Sequence, residues 1–314
     1  MVTWQGRHLL GACLRSLRRQ TLDHRLLVVD NASTDGTAEF LATEHPEATL
    51  VVSDRNEGFA GGVARALDQV DSPYVALLNN DATADPDWLA TLVAHADAHP
   101  TAAAVTSRML LADRPGTLNN TGVVLLPTGY GADRGLGEPD TAYPEADEVF
   151  GFSGGAALLR TDAVRDAGGM PAEYFLYYED TDLSWRLRLA GWTVRYEPGA
   201  VVRHLHAAST DPRSESFAFF NERNRLLTLV RCAPPAMAVG AVVRFLVTTA
   251  SLTARRLARR PVPDVATFRL AVRLRAFAAF LRLLPWALRS RRAILRDARL
   301  LPRDVTGRWV ARVR

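Results

Sequence analysis

Three continuous apolar runs constrain this chain more than any other feature: Leu26-Leu27-Val28-Val29, Leu50-Val51-Val52 and Tyr74-Val75-Ala76-Leu77-Leu78. A run without polar alternation buries both faces of a strand, the environment of a parallel sheet covered by helices. Stretches of helical periodicity separate the runs. Leu9, Leu10, Cys13, Leu14 and Leu17 precede the first, a helix from about Thr37 follows it, and the turn Asn56-Glu57-Gly58-Phe59-Ala60-Gly61-Gly62 opens another. This alternation predicts a nucleotide-binding α/β half.

The first and third runs end in polar, turn-forming residues, and open α/β sheets bind ligands at the carboxyl ends of their strands. The first leads into Asp30-Asn31-Ala32-Ser33-Thr34-Asp35-Gly36-Thr37, the third into Asn79-Asn80-Asp81. Glycines after Asn56 let backbone approach a ligand, and a helix N-terminus favours phosphate; a purely structural turn is the other reading. Neither the G-x-G-x-x-G dinucleotide fingerprint nor a G-x-x-x-x-G-K-[ST] loop is present. Asp81 is the kind of carboxylate that holds Mg²⁺ beside a phosphate, or else the start of an Asx turn. Met1-Val2-Thr3-Trp4 reads as the end of a strand shorter than the roughly five or six residues a central strand needs. The expectation is either that the natural chain starts earlier or that this strand is clipped.

The net charge of +4 over 314 residues hides an asymmetry. Residues 223–314 hold 21 Arg against Asp264, Asp297 and Asp304, a net +18, which leaves −14 on residues 1–222. Such a division points to two modules, the basic one facing something anionic. Two cysteines, Cys13 and Cys232, exclude a disulfide framework and a cysteine zinc site. The N-terminus lacks the pattern of a signal peptide, so the cytoplasm is the default compartment.

Glu179-Asp180-Thr181-Asp182 places three carboxylates within four residues. Leu183, Arg186, Leu187 and Ala190 follow at helical spacing, and Gly191 suits a helix C-terminus. Acids at a helix start are favoured by its dipole, so a capped helix is one reading. A general base at the mouth of a cleft is the other.

The order of these motifs resembles the family 2 glycosyltransferases of GT-A fold, nearest the bacterial rhamnosyltransferase-like enzymes of cell-wall and O-antigen assembly. The resemblance runs from Val2-Thr3-Trp4-Gln5-Gly6 through the Asp30 and Asn56 turns, Leu77-Leu78-Asn79-Asn80-Asp81, Gly168 to Trp192, and Pro198 to His204, and covers Met1 to about Arg231. It implies that Asp30 hydrogen-bonds the donor's pyrimidine base, with Thr3 near that base and Asn56 and Gly61 on the nucleotide side. Asp81 matches the last acid of the D-x-D metal motif, His204 a histidine completing the metal site, and Asp180 the catalytic base with Glu179 and Asp182 as acidic neighbours. Like-charge repulsion from those two neighbours is expected to raise the proton affinity of Asp180. Gln5 stands where Asn is usual, Asn79 replaces the first acid of D-x-D, Ala64 stands where Asn is often found, and Met170-Pro171-Ala172-Glu173 replaces Phe-Asp-Glu. No Gln-x-x-Arg-Trp motif follows; Asn221-Glu222-Arg223-Asn224-Arg225 instead resembles the Arg-Asn-Arg segment of single-addition enzymes.

The resemblance thus implies an inverting transferase using Mg²⁺ or Mn²⁺ and a dTDP- or UDP-sugar, dTDP-rhamnose first, with a glycan or lipid-linked acceptor. A sugar-nucleotide-binding pseudoenzyme or scaffold is the alternative. The expected architecture is an α/β GT-A domain over residues 1–228, with a Rossmann-like half and mixed central sheet, and a helical, Arg-rich amphipathic region over 229–314. In that tail, Ala236 to Ala254 is apolar around Arg244, and Phe277, Phe280, Leu281 and Leu284 offer an apolar face beside Arg282, Arg289, Arg292, Arg296 and Arg299. This fits an anionic membrane surface at the inner face of the cell membrane; packing on the catalytic domain or in a homodimer is the other expectation. No nucleic-acid motif is present, and no nucleic-acid partner is expected.

Overall fold

The structure, a computed structural model, describes residues 1–205, 211 and 213–310. β1 (Val2–Thr3), α1 (Arg7–Arg18), β2 (Leu27–Asp30), α2 (Thr37–Glu44), β3 (Thr49–Val52) and α3 (Gly58–Leu67) build the first layer. Its three strands pair in parallel in the order β1-β2-β3. Val28 and Val29 are fully buried; α1 packs Leu10 and Leu14 with Val28 and Leu41, and its Cys13 and Leu17 join a second cluster with Leu78 and Trp88. The β2 run therefore folds as its lack of alternation requires, whereas β3 is a half-exposed edge strand with Val52 55% exposed, and the third run, Tyr74–Leu78, pairs antiparallel in the second sheet.

β4 (Tyr74–Leu78), β5 (Ala82–Ala84), α4 (Trp88–Ala98), β6 (Ala102–Leu111), β7 (Leu118–Asn120), β8 (Val123–Leu125), β9 (Gly131–Asp133), β10 (Asp147–Glu148), β11 (Ala156–Arg160), α5 (Thr161–Asp166), α6 (Glu179–Leu189) and β12 (Thr193–His204) follow. The central sheet runs β10-β12-β6-β11-β4, with β5 on β12 and β7 on β6. It is mixed: β12 and β6 are parallel, the other pairs antiparallel. Two registers position the site. Antiparallel pairing of His204 with Ala82 sets the end of β12 beside Asp81, and pairing of Ala156 with Leu78 sets the loop before β11 beside Asn79.

α6 is buried all round, with Leu183, Trp185, Leu187 and Leu189 fully enclosed. It stops at Gly191, whose φ of +86° suits a residue without Cβ; the Trp192 amide closes the end on the Leu187 carbonyl at 3.0 Å.

α7 (Glu215–Cys232), α8 (Pro235–Leu257), α9 (Leu270–Arg296) and α10 (Pro302–Trp309) complete the chain. Leu226, Leu229, Phe245 and Phe280 share one apolar cluster with Trp185, Phe150 and Leu125 of the front half. This corrects the expectation for α9. Phe277, Phe280 and Leu284 turn inward, Phe277 stacking on Phe245 with centroids 5.7 Å apart. Two arginines go in with them: Arg273 donates to the Phe245 carbonyl at 2.8 Å, and Arg291 to those of Val230 and Ala233 at 2.9 and 2.8 Å. Arg312 and Arg314 of the basic tail lie outside the described residues.

Candidate active site

The carboxyl ends of β1 and β2 form the first corner. Asp30 is 1% exposed; its Oδ1 accepts the Ser33 amide at 3.1 Å, and its Oδ2 has no hydrogen-bond partner among the described residues. A buried acceptor left open costs about 1–3 kcal/mol, and a ring N–H of a pyrimidine base is a donor that would satisfy it. Thr3, also buried, receives the Asn80 amide on Oγ1 at 2.9 Å. Gln5, at φ +50°, reaches Thr34 through Nε2 at 3.0 Å and closes the rim.

The glycine-rich helix start is more occupied than its sequence suggests. Asn56 Oδ1 takes the Gly58 amide at 2.8 Å, and the Phe175 carbonyl takes the Ala60 amide at 3.1 Å. Protein groups thus already fill two positions a phosphate would use. Gly58, at φ +71°, leaves room for that same Phe175 carbonyl, and Gly61 lies inside α3 against the Glu57 side chain. Packing alone accounts for both glycines.

The second corner joins β4, β7 and β12. His204 Nε2 lies 3.1 Å from Asp81 Oδ1 and 3.4 Å from Asn79 Nδ2, while its Nδ1 lies 2.8 Å from Asn119 Oδ1. An amide oxygen only accepts, so Nδ1 donates to Asn119 and Nε2 is the ring nitrogen turned toward Asp81. Two ligand atoms about 3 Å apart match an edge of an octahedron with bonds of about 2.1 Å. The pair fits a divalent cation. No group of three or more His, Cys, Asp or Glu in holding distance occurs among the described residues, so the remaining ligands would come from diphosphate or water. Sequence reasoning missed Asn119, whose position at a strand end reads as an ordinary turn residue.

The third corner is the start of α6. Asp180 is half-buried; its Oδ2 accepts the Gly154 amide at 3.0 Å, and its Oδ1 accepts the Thr181 amide at 2.6 Å and the Thr181 hydroxyl at 3.2 Å. Burial pushes the Asp180 carboxyl above the usual range, the Gly154 and Thr181 hydrogen bonds oppose this, and the charge of Asp133 adds to it. Asp133 thus adds a repulsion that the sequence did not suggest, while the repulsion between Asp180 and Glu179 falls on Glu179. Glu179 is buried, and burial followed by the nearby Asp180 charge raises its own pKa well above the usual value of 4.5. Asp182 is fully buried and paired with Arg186 at 2.7 Å and Arg231 at 2.6 Å. Its charge is neutralised locally, and it ties α6 to α7.

Gly154 was not singled out in the sequence, although Gly151-Phe152-Ser153-Gly154-Gly155 precedes an apolar run there. Its neighbour Gly155 accepts the Asn79 amide at 2.9 Å. Adjacent residues thus connect Asp180 to the corner of Asn79, Asp81 and His204. The loop before α6 holds Phe175, Tyr177 and Tyr178 at φ +64°, +68° and +71°. Such backbone costs about 1–3 kcal/mol per residue and persists only when over-determined. α7 supplies the constraint: Asn224 donates to the carbonyls of Tyr174, Leu176 and Tyr177 at 3.0, 2.9 and 2.7 Å, and Arg223 to that of Tyr174 at 2.6 Å.

A family profile described as "Glycosyl transferase family 2" matches residues 1–168. The N-acetylglucosaminyl-diphospho-decaprenol L-rhamnosyltransferase of Mycobacterium tuberculosis is 31% identical over 215 residues, 60% of this chain and 69% of that one. Among solved structures, GalNAc-T7 with UDP, GalNAc and Mn²⁺ superimposes with a TM-score of 0.63 at 12% identity, over 98% of this chain and 56% of that one. The mannosyltransferase PcManGT from Pyrobaculum calidifontis, in complex with GDP-Man and Mn²⁺, gives 0.53 at 18% identity, over 98% and 85%.

Proposed function

The chain belongs to glycosyl transferase family 2 and has the GT-A fold, and we propose that it moves rhamnose, with inversion, from dTDP-rhamnose to a hydroxyl of a lipid-linked glycan during cell-wall or surface-polysaccharide assembly. UDP-sugars are the next donors in order. Residues 1–228 carry the chemistry in this reading. Donor and acceptor classes follow the rhamnosyltransferase relative, whose name specifies an N-acetylglucosaminyl-diphospho lipid.

Asp180 accepts the proton of the acceptor hydroxyl as its oxygen attacks the anomeric carbon. The bond from that carbon to the diphosphate oxygen breaks, and the nucleoside diphosphate leaves with the electron pair. One base and in-line attack give inversion. Asp30 and Thr3 hold the base, and Asp81 and His204 are the residues that would hold Mg²⁺ or Mn²⁺. Bound there, such a cation would supply positive charge for the leaving diphosphate. The observation carrying this reading is the Asp180 carboxylate, raised in proton affinity by burial and fixed by Gly154 next to the Gly155–Asn79 link. The test is nucleoside diphosphate release from a panel of sugar nucleotides with Mn²⁺, with and without a short-chain N-acetylglucosaminyl-diphospho-prenol. Acceptor-stimulated release is expected with dTDP-rhamnose. Binding of a sugar nucleotide without any turnover would instead establish a binding protein of the same fold.

We also propose that the protein works on the inner face of the cell membrane as a peripheral protein. Supporting this, Val239, Val243 and Val247 of α8 are 61, 51 and 62% exposed and form one stripe at four-residue spacing, with Leu246 beside it. Exposed Arg244, Arg255, Arg256, Arg259 and Arg260 lie on the same helix and its end. Apolar stripe plus arginine rim is the pattern of an interfacial helix on anionic lipid. α8 is also long and apolar enough to cross a bilayer by length and composition, but Ala238, Ala241 and Phe245 on its other face are buried in the apolar cluster shared with α7 and α9. Sedimentation with phosphatidylglycerol vesicles, weakened by salt and by Val243→Glu, is the expected result; equal partitioning to neutral vesicles contradicts it.

A further inference from the structure

The hairpin of β8 and β9 brings a second carboxylate to the base. A Cβ at Gly131 would sit 3.1 Å from the Thr181 hydroxyl, so this residue of β9 faces the first turn of α6, next to Asp180. The Tyr178 hydroxyl accepts the Gly131 amide at 3.1 Å and pins the strand to the loop that carries the base. Side chains alternate along a strand, so Asp133 shares the face of Gly131. The hairpin register, Val123 opposite Asp133 and Leu125 opposite Gly131, is anchored by the buried Val123 and Leu125. Asp133 itself is exposed, and Asn120 donates to its Oδ1 at 2.5 Å, which fixes the carboxylate's orientation. Asn120 adjoins Asn119, the partner of His204, so one dipeptide of β7 orients a residue in each half of the site.

We propose that Asp133 is an acceptor-binding residue, whose carboxylate takes a hydrogen bond from a hydroxyl neighbouring the one that Asp180 deprotonates. This rests on the glycosyltransfer reading of the same site. The acceptor class that fits is a sugar presenting two adjacent free hydroxyls. The hydroxyl that attacks meets Asp180, and its neighbour meets Asp133. Only the first loses its proton; the second stays intact as a donor. The effect of the Asp133 charge on Asp180 agrees with this closeness. A site built to receive a substrate hydroxyl discriminates strongly against an analogue that lacks it.

The experiment compares Asp133→Asn and Asp133→Glu with the wild-type chain, using the donor the latter consumes and a short-chain N-acetylglucosaminyl-diphospho-prenol as acceptor. Expected for Asp133→Asn is a loss of about 10²-fold in kcat/KM for the acceptor, with the KM for donor and the plateau rate of donor hydrolysis within about twofold, and partial recovery in Asp133→Glu. The acid limb of donor hydrolysis should move to lower pH in Asp133→Asn, because a repelling charge beside Asp180 is gone. An unchanged acceptor kcat/KM, or equal loss of donor hydrolysis, overturns the assignment. If the wild type hydrolyses donor but does not use this acceptor, the acid limb decides, and an unshifted limb overturns it. A wild type that consumes no donor refutes the glycosyltransfer reading itself, and with it this assignment.

Discussion

The side-chain amide of Asn224 donates to the backbone carbonyl of Tyr177 at 2.7 Å, from a helix that begins 38 residues later in the chain. The same amide holds Tyr174 and Leu176, and Asn224 is fully buried. Three left-handed residues just before Asp180 are kept in place by this one side chain and its neighbour Arg223. Asn224→Ala leaves the partly buried Leu176 and Tyr177 carbonyls without this donor, at about 1–3 kcal/mol each, while Tyr174 keeps Arg223. We expect a loss of about 2–4 kcal/mol in denaturant unfolding, and a fall in kcat larger than any rise in the KM for donor. A variant of unchanged stability would show that the loop holds its own shape.

Asn119 Oδ1 lies 2.8 Å from His204 Nδ1, the place of a partner that orients a metal-binding histidine, and such partners typically account for 10- to 100-fold in metal affinity. Asn119→Ala is therefore expected to weaken Mn²⁺ binding by about that factor, read by electron paramagnetic resonance of free Mn²⁺ with dTDP present. His204→Ala should weaken it further. Equal Mn²⁺ binding by Asn119→Ala and wild type would remove His204 from the metal corner.

Glu179 makes a prediction about pH and stability. Burial, with the nearby Asp180 charge, keeps its proton in the folded chain well above the ordinary value of 4.5. The unfolded chain releases that proton above about pH 4.5, so it binds fewer protons than the folded one there, and stability falls as pH rises from that point toward the raised folded value. Glu179→Gln removes this titration and should melt higher than wild type, by a margin that grows as pH rises above about 4.5. A constant margin across that range would mean that Glu179 does not hold its proton in the fold.

The first sheet and the residues proposed here as base and metal ligands stood out in the sequence because they lie at the ends of unbroken apolar runs or in motifs whose order is distinctive. Asp81 and His204 are far apart in sequence, yet the order of motifs paired them before the register of β5 on β12 was known. Other residues were silent for physical reasons. Asn119, Asn120 and Asp133 belong to short strands whose polar residues read as turns, and they reach the site only through long-range pairing. Glu179, Asp180 and Asp182 look equivalent in sequence; burial raises the proton affinity of the first two, and two arginines make Asp182 an ion-pair partner. In α9, the same spacing of arginine and apolar residues serves a helix facing lipid or one facing other helices, so Phe277 and Phe280 could not reveal that they point inward.

The central claim is that Asp180 is the base, and its most direct measurement is single-turnover transfer by Asp180→Asn beside the dissociation constant for the donor. The amide keeps the size of the side chain and an oxygen for the Gly154 amide, but it cannot take a proton from the acceptor. Transfer should fall by at least about 10²-fold while donor affinity stays within about threefold. Transfer within about tenfold of wild type, with donor affinity intact, would contradict the assignment and move the search for the base to another residue.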